Sequence, residues 1–86
     1  MYEVRDTVES RSQLHSLPRP IRVRVLAVFE RLLRWPNVSG VKPLKHSLKG
    51  AYRLRTGDWR VLFTVDEQAE RVIVFRIANR RDVYDD

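Results

Sequence analysis

The stretch Lys49-Gly50-Ala51-Tyr52-Arg53-Leu54-Arg55-Thr56-Gly57-Asp58-Trp59-Arg60-Val61 decides the fold. Arginine alternates here with apolar residues at the two-residue period of a β-strand, so one face of the resulting sheet is apolar and the other cationic. Thr56-Gly57-Asp58 reads as a turn, which places one strand at Tyr52–Arg55 and a second at Trp59–Val65. A third strand follows at Arg71–Ile77, after a turn over Asp66–Glu70. Together they predict an antiparallel meander.

Upstream of the meander the period changes. Ile21, Val25, Val28 and Leu32 recur at helical spacing, and Leu26, Phe29 and Leu33 widen the stripe. Pro20 suits the first turn of this helix, and Trp35-Pro36-Asn37 ends it, because proline disfavours helical geometry in the residue before it. A weaker helix is predicted from Asp6 to His15, capped by Asp6 or Thr7, with Val4, Val8, Leu14 and Leu17 as its buried contacts. Met1–Val4 reads as a short first strand, and residues 38–50 as an irregular segment containing a short strand. The predicted fold class is α+β: an N-terminal helical hairpin packed on a small, mainly antiparallel sheet, in a single domain spanning residues 1–86.

Composition narrows the function. The chain has no cysteine, which excludes disulfides, thiolate metal sites and cysteine nucleophiles. His15 and His46 are too far apart to suggest a zinc motif. No apolar run approaches the roughly 20 residues of a membrane-spanning helix. The N-terminus lacks the apolar core of a signal peptide, so a cytoplasmic protein without a membrane role is expected. Net charge is +6, and the cations are concentrated: Lys42, Lys45, Lys49, Arg53, Arg55 and Arg60 lie between Val41 and Thr64 against the single acid Asp58. Such a patch points to nucleic acid, an acidic protein partner, or both.

Alternation assigns the faces. Tyr52 and Leu54 oppose Arg53 and Arg55; Trp59, Val61, Phe63 and Val65 oppose Arg60, Leu62 and Thr64; Ile73, Phe75 and Ile77 oppose Val74 and Arg76. If the aromatic and aliphatic sets meet the helices, Arg53, Arg55, Arg60 and Arg76 gather on the exposed face. A cationic face beside a C-terminal Asn79-Arg80-Arg81-Asp82-Val83-Tyr84 suits a phosphate-rich ligand, and RNA leads the candidates.

Two stretches, Leu44–Arg60 with its "LKG-YRLR-GDWRV" text and Val74–Tyr84 with "VFRIANRRDVY", resemble the RelE/ParE toxin superfamily of bacterial toxin–antitoxin systems, and most of all its RelE branch. The resemblance implies a RelE-like fold and a ribosome-dependent endonuclease that cuts messenger RNA in the ribosomal A site. In that chemistry the ribose 2′-hydroxyl attacks the adjacent phosphate, with no metal or other cofactor. It needs a base, cations for the phosphorane charge and an acid for the leaving oxygen. The resemblance implies catalytic roles for Arg53, Arg55, Arg60, Arg80 and Tyr84, with Arg81 the alternative to Arg80. Lys42, Lys45, His46, Lys49, Arg76 and Arg81 are the expected RNA contacts. The implied partners are the ribosome, messenger RNA and a cognate antitoxin that brings an acidic or amphipathic segment.

The chain departs from the family's pattern in having arginines where its best-known members carry a lysine pair. A guanidinium keeps its proton to beyond about pH 12, so Arg53 and Arg55 suit charge stabilisation and not proton abstraction. Lys45, His46, Lys49 and Tyr84 remain candidates for proton transfer, histidine being the residue type that titrates near neutrality. Only Asp85 and Asp86 follow Tyr84, so the family's longer C-terminal helix is not expected. Plainer readings stand beside these: Tyr52, Trp59 and Trp35 as packing residues, Asp58 as a turn residue pairing with an arginine, and the arginines as a solvated sheet face. A ParE-like inhibitor of DNA gyrase and a catalytically weak relative are the rival functions, because the scaffold is shared.

Overall fold

A computed structural model of the chain describes residues 1–82. Its elements are β1 (Glu3–Asp6), α1 (Val8–His15), α2 (Arg19–Leu32), β2 (Lys42–Pro43), β3 (Tyr52–Thr56), β4 (Trp59–Asp66) and β5 (Arg71–Asn79), with 3₁₀ turns at His46–Leu48 and Arg80–Asp82. The five strands form one sheet in the order β1-β5-β4-β3-β2. β1 runs parallel to β5, and the remaining pairs are antiparallel.

Thr7, in extended geometry, caps α1: its hydroxyl accepts from the Ser10 N–H at 3.1 Å, and Ser10 Oγ accepts from the Thr7 N–H at 2.9 Å. This is a reciprocal capping box with serine in the place usually held by glutamate. Ser10 is fully buried, and its hydroxyl also donates to the Val74 carbonyl at 2.8 Å. Leu14 and Leu17 enter the core as expected, but Val8 is 89% exposed, because the capping turn faces it away from the sheet.

Pro20 lies in the first turn of α2, and Val25, Val28 and Leu32 are its buried stripe. The helix ends at Leu32, earlier than the Trp35-Pro36 pair that was expected to stop it. The N–H groups of Leu33, Arg34 and Trp35 bond three residues back, to Glu30, Arg31 and Leu32, so the last turn tightens before the proline is reached. Trp35 then packs on the sheet, with its ring centroid 5.1 Å from that of Tyr52 and 5.5 Å from that of Phe63. Both helices cover one face of the sheet. There Leu54, Val61, Phe63, Val72, Val74 and Ile77 meet Leu14, Leu17, Val25, Val28 and Leu32.

β5 departs from the expected alternation. Leu62 pairs with Arg76 and Phe63 with Val74, so a bulge leaves Phe75 without a partner on β4. Before the bulge Val72 and Val74 face the helices; after it Ile77 does. The assignment of Ile73 and Phe75 to the helix face is therefore corrected. A single inserted residue exchanges the two faces of a strand, and Phe75 and Arg76 consecutively share the face away from the helices. β1 ends opposite Val74, and α1 takes over the edge of β5 beyond it, with Gln13 Oε1 accepting from the Ile77 N–H at 2.7 Å.

Candidate functional site

Side chains paired across adjacent strands project to the same face, so the register composes the site. One row across the sheet reads Lys42–Arg53–Leu62–Arg76, and the next reads Arg55–Arg60–Ala78. Five cations from four strands thus occupy neighbouring positions on the face opposite the helices. The expected gathering of Arg53, Arg55, Arg60 and Arg76 is what the register gives, joined by Lys42 from β2.

The expectation that this face is open to solvent is corrected. Lys42 and Arg55 are exposed, but Arg53 is only 8% exposed and Arg60 only 6%. Strand periodicity decides which face a residue takes and is silent about what lies over that face. Here the irregular chain between β2 and β3 folds across it. Leu44 and Ala51 pack on Leu62 and Ala78 in a second, smaller core, with Leu48 and Phe75 alongside. This cover is pinned by its backbone: the Leu44 N–H donates to Ala51 at 2.9 Å and the Ala51 N–H to Leu48 at 3.0 Å. His46 (φ 56) and Gly50 (φ 100) take the left-handed conformations that the turn demands. Lys45, His46 and Lys49 lie exposed on this covering segment.

At the far end of β5 the chain enters the 3₁₀ turn that carries Arg80 and Arg81, both exposed. The β3–β4 hairpin tip holds this turn in place. The Arg80 N–H donates to the Asp58 carbonyl at 2.8 Å, and Arg80 Nε lies 3.8 Å from Asp58 Oδ1. The plain reading of Asp58 as a turn residue paired with an arginine therefore holds. Arg76 Nη2 donates to the Asp82 carbonyl at 2.8 Å, and the Arg81 N–H donates to Asn79 Oδ1 at 3.2 Å. Tyr84 lies outside the described residues.

Chemically, a cluster of cations on one sheet face suits an anion. Guanidinium groups are planar, permanently charged and rich in donors, which matches phosphate oxygens. Charges shielded from water interact more strongly with an anion than exposed ones. Arg53 and Arg60 are shielded and fixed on strands; Lys42 and Arg55 extend the field outward. Carboxylates with displaced titration sit at the β1 edge of the sheet, three strands from Arg53 and Arg55: the Arg71 guanidinium hydrogen-bonded to Glu3 holds that carboxyl below its usual range, and Arg11 does the same for Asp6, with contacts of 3.2 and 2.8 Å. Among the described residues, no group of three or more His, Cys, Asp or Glu side chains gathers as a metal site. Among them too, no helix is long and apolar enough to cross a membrane.

Sequence reasoning missed Phe75 as a residue of this face. The one signal is that Val72, Ile73, Val74 and Phe75 form an unbroken apolar run, in which alternation cannot be read.

Comparison with known proteins follows the same lines. Residues 4–84 match the model of a family described as ParE toxin of type II toxin–antitoxin system, parDE. The toxin RelG of Mycobacterium tuberculosis is 37% identical over 84 residues, covering 96% of this chain and 95% of its own length. The toxin–antitoxin complex RelBE2 of the same organism contains a chain that superposes with a TM-score of 0.82 at 35% identity, covering 94% of this chain and 93% of that one. A chain of the archaeal RelE–RelB complex of Pyrococcus horikoshii superposes with a TM-score of 0.74 at 26% identity, covering 95% and 98% respectively. Two helices on a five-stranded mixed sheet are the RelE-like fold that the resemblance implied.

Proposed function

The chain belongs to the ParE toxin family of type II toxin–antitoxin systems, and from that premise we propose that it acts, as a single domain in the cytoplasm, as a ribosome-dependent messenger-RNA endonuclease. The observation that carries this reading is the pair of shielded arginines, Arg53 and Arg60, set among Lys42, Arg55 and Arg76 on one sheet face. Preorganised cations shielded from water are what phosphoryl transfer uses to stabilise developing charge.

In the proposed reaction the ribose 2′-oxygen bonds to phosphorus while the bond from phosphorus to the 5′-oxygen breaks, leaving a cyclic phosphate. The proton of the 2′-hydroxyl goes to a base, and the leaving oxygen takes one from an acid. Arg53, Arg60 and Arg80 stabilise the charge that develops on the phosphorane oxygens, and the exposed Arg55 holds the neighbouring backbone. Lys45, His46, Lys49 and Tyr84 are the candidates for the two proton transfers, because arginine does not release its proton. Lys42, Arg76 and Arg81 complete the RNA contacts. Docking through such cations weakens steeply with salt.

The proposed antitoxin brings an amphipathic segment with acidic flanks. Along α2 and the turn that ends it, Val23 (57% exposed), Leu26 (43%) and Leu33 (45%) form an outward apolar stripe with Arg22, Arg24, Arg31 and Arg34 around it. A pocket of about 680 Å³ opens there, lined by Met1, Ala27, Glu30, Arg31, Leu33 and Arg34. That the superposing M. tuberculosis and P. horikoshii chains come from toxin–antitoxin complexes supports such a partner.

Primer extension on a messenger RNA in a purified translation system tests the reading. Cuts within A-site codons that vanish when ribosomes are omitted are expected. The matching family model bears the name of ParE, which favours gyrase inhibition as the second reading. Loss of supercoiling activity in a purified gyrase assay, without RNA cuts, would move the assignment there.

A further inference from the structure

A second feature shares the cationic face. Because of the bulge in β5, Phe75 and Arg76 both project away from the helices. Phe75 is half-buried and forms one wall of a pocket of about 400 Å³, completed by Ser47, Leu48, Lys49, Ala51 and Thr64, with Gly50 at its edge. That volume lies within the range of about 300–1,000 Å³ usual for small-ligand pockets. Its floor and sides are apolar and aromatic, and its polar groups are two hydroxyls, Ser47 and Thr64, and one exposed ammonium, Lys49. Thr64 stands two residues beyond Leu62 on β4, on the same face, so the pocket begins about 7 Å along the strand from the Arg53–Leu62–Arg76 row.

We propose that this pocket receives one nucleobase of a bound single-stranded RNA: the base stacks on Phe75, its edge meets the hydroxyls of Thr64 and Ser47, and Lys49 takes the adjoining phosphate. The inference rests on the RNA reading above and adds to it a specificity-determining subsite. The chemistry is that of single-strand recognition, in which an aromatic ring on a sheet supplies the stacking platform and cations beside it track the backbone. Bulges beside active sites commonly re-aim a side chain, and here the bulge sets an aromatic ring and an arginine side by side on the cationic face. The hydroxyls, each able to donate and accept, supply the means of distinguishing one base from another.

The test is binding of a labelled single-stranded RNA hexamer at low salt, with each base in turn replaced by an abasic site, to the native protein and to Phe75→Leu and Thr64→Val. In the native protein one abasic position is expected to weaken binding about tenfold or more. In Phe75→Leu that position is expected to become indifferent while the others keep their effect. Thr64→Val, nearly isosteric, is expected to keep the stacking and to flatten the preference among the four bases at that position. Thermal melts establish that each variant is folded; should Phe75→Leu fail to fold, Thr64→Val decides alone, and an unchanged base preference overturns the subsite. Identical abasic profiles in native protein and Phe75→Leu overturn it too, even where ribosome-dependent cleavage stands. Base-dependent binding that Phe75→Leu abolishes, in a protein that cuts nothing on ribosomes, upholds the subsite and removes the nuclease reading. No measurable binding of the hexamer overturns the subsite.

Discussion

Replacing Ser10 by alanine removes a hydroxyl that does two things at once. It donates to the Val74 carbonyl at 2.8 Å beside the β5 bulge, and it accepts from the Thr7 N–H at 2.9 Å as half of the α1 cap. Ser10 is fully buried, so water does not replace either bond. Losing each of these two hydrogen bonds costs about 1 kcal/mol, while the Thr7 hydroxyl keeps its bond to the N–H of residue 10. Alanine's better helix propensity returns about 0.5 kcal/mol. The net loss is about 1.5 kcal/mol, which in a chain of this length lowers the melting temperature by about 6–12 °C. The assay is thermal unfolding followed by circular dichroism, with Ser12→Ala as control, since Ser12 is exposed on the same helix. Ser12→Ala should melt within a degree or two of the native protein. A Ser10→Ala melt equally close would refute the claim that this hydroxyl ties α1 to β5. Cleavage measured well below the melting temperature should be unchanged, because Ser10 lies on the helix side of the sheet.

The other expectations concern charge and contact. Arg60→Ala should lower ribosome-dependent cleavage by about a hundredfold to a thousandfold, the usual cost of one preorganised charge-stabilising group; single-turnover rates on programmed ribosomes read this directly, and retention of the native rate would remove Arg60 from the site. The lowered titration of Glu3 and Asp6 stabilises the fold above their unfolded pKa values, about 4, and this contribution is lost as pH falls through the lower folded values. Melts at pH 7 and pH 3 should therefore differ less for a Glu3→Gln, Asp6→Asn double variant than for the native protein. An equal difference would mean that these ion pairs carry no acid sensitivity. Leu26→Glu should weaken antitoxin binding by at least tenfold in calorimetric titration and leave cleavage by the free toxin intact; unchanged affinity would place the antitoxin elsewhere than on α2.

Much of this was legible in the amino-acid sequence because it depends on local rules. The α2 stripe, the turn at Gly57-Asp58 and the common face of Arg53, Arg55 and Arg60 follow from periods of 3.6 and 2 and from turn chemistry. Three things were not legible, each for a physical reason. The β5 bulge hides in an apolar run, where no polar residue marks the change of face, and so Ile73 and Phe75 were assigned to the wrong side. The second core, in which Leu44 and Ala51 cover Leu62 and Ala78 on the arginine face, is a tertiary event without period. Ser10 and Gln13 carry no signal in the sequence, and only the position of β5 beneath α1 gives their polar atoms something to bind.

The pairing of β1 with β5 has a consequence for the order in which the molecule is made. Glu3 meets Arg71, Ser10 meets Val74 and Gln13 meets Ile77, so β1 and α1 find their partners in β5, the last of the described strands in chain order. Contacts of such long sequence separation close late. While translation proceeds, α2 and the β3–β4 hairpin can form, but the N-terminal segment waits with its strand edge unpaired. A chain interrupted before Arg71 is thus not a weakened toxin. It lacks the strand on which β1, α1, Arg76 and Arg80 are all hung, and the sheet is complete only once β5 has been made.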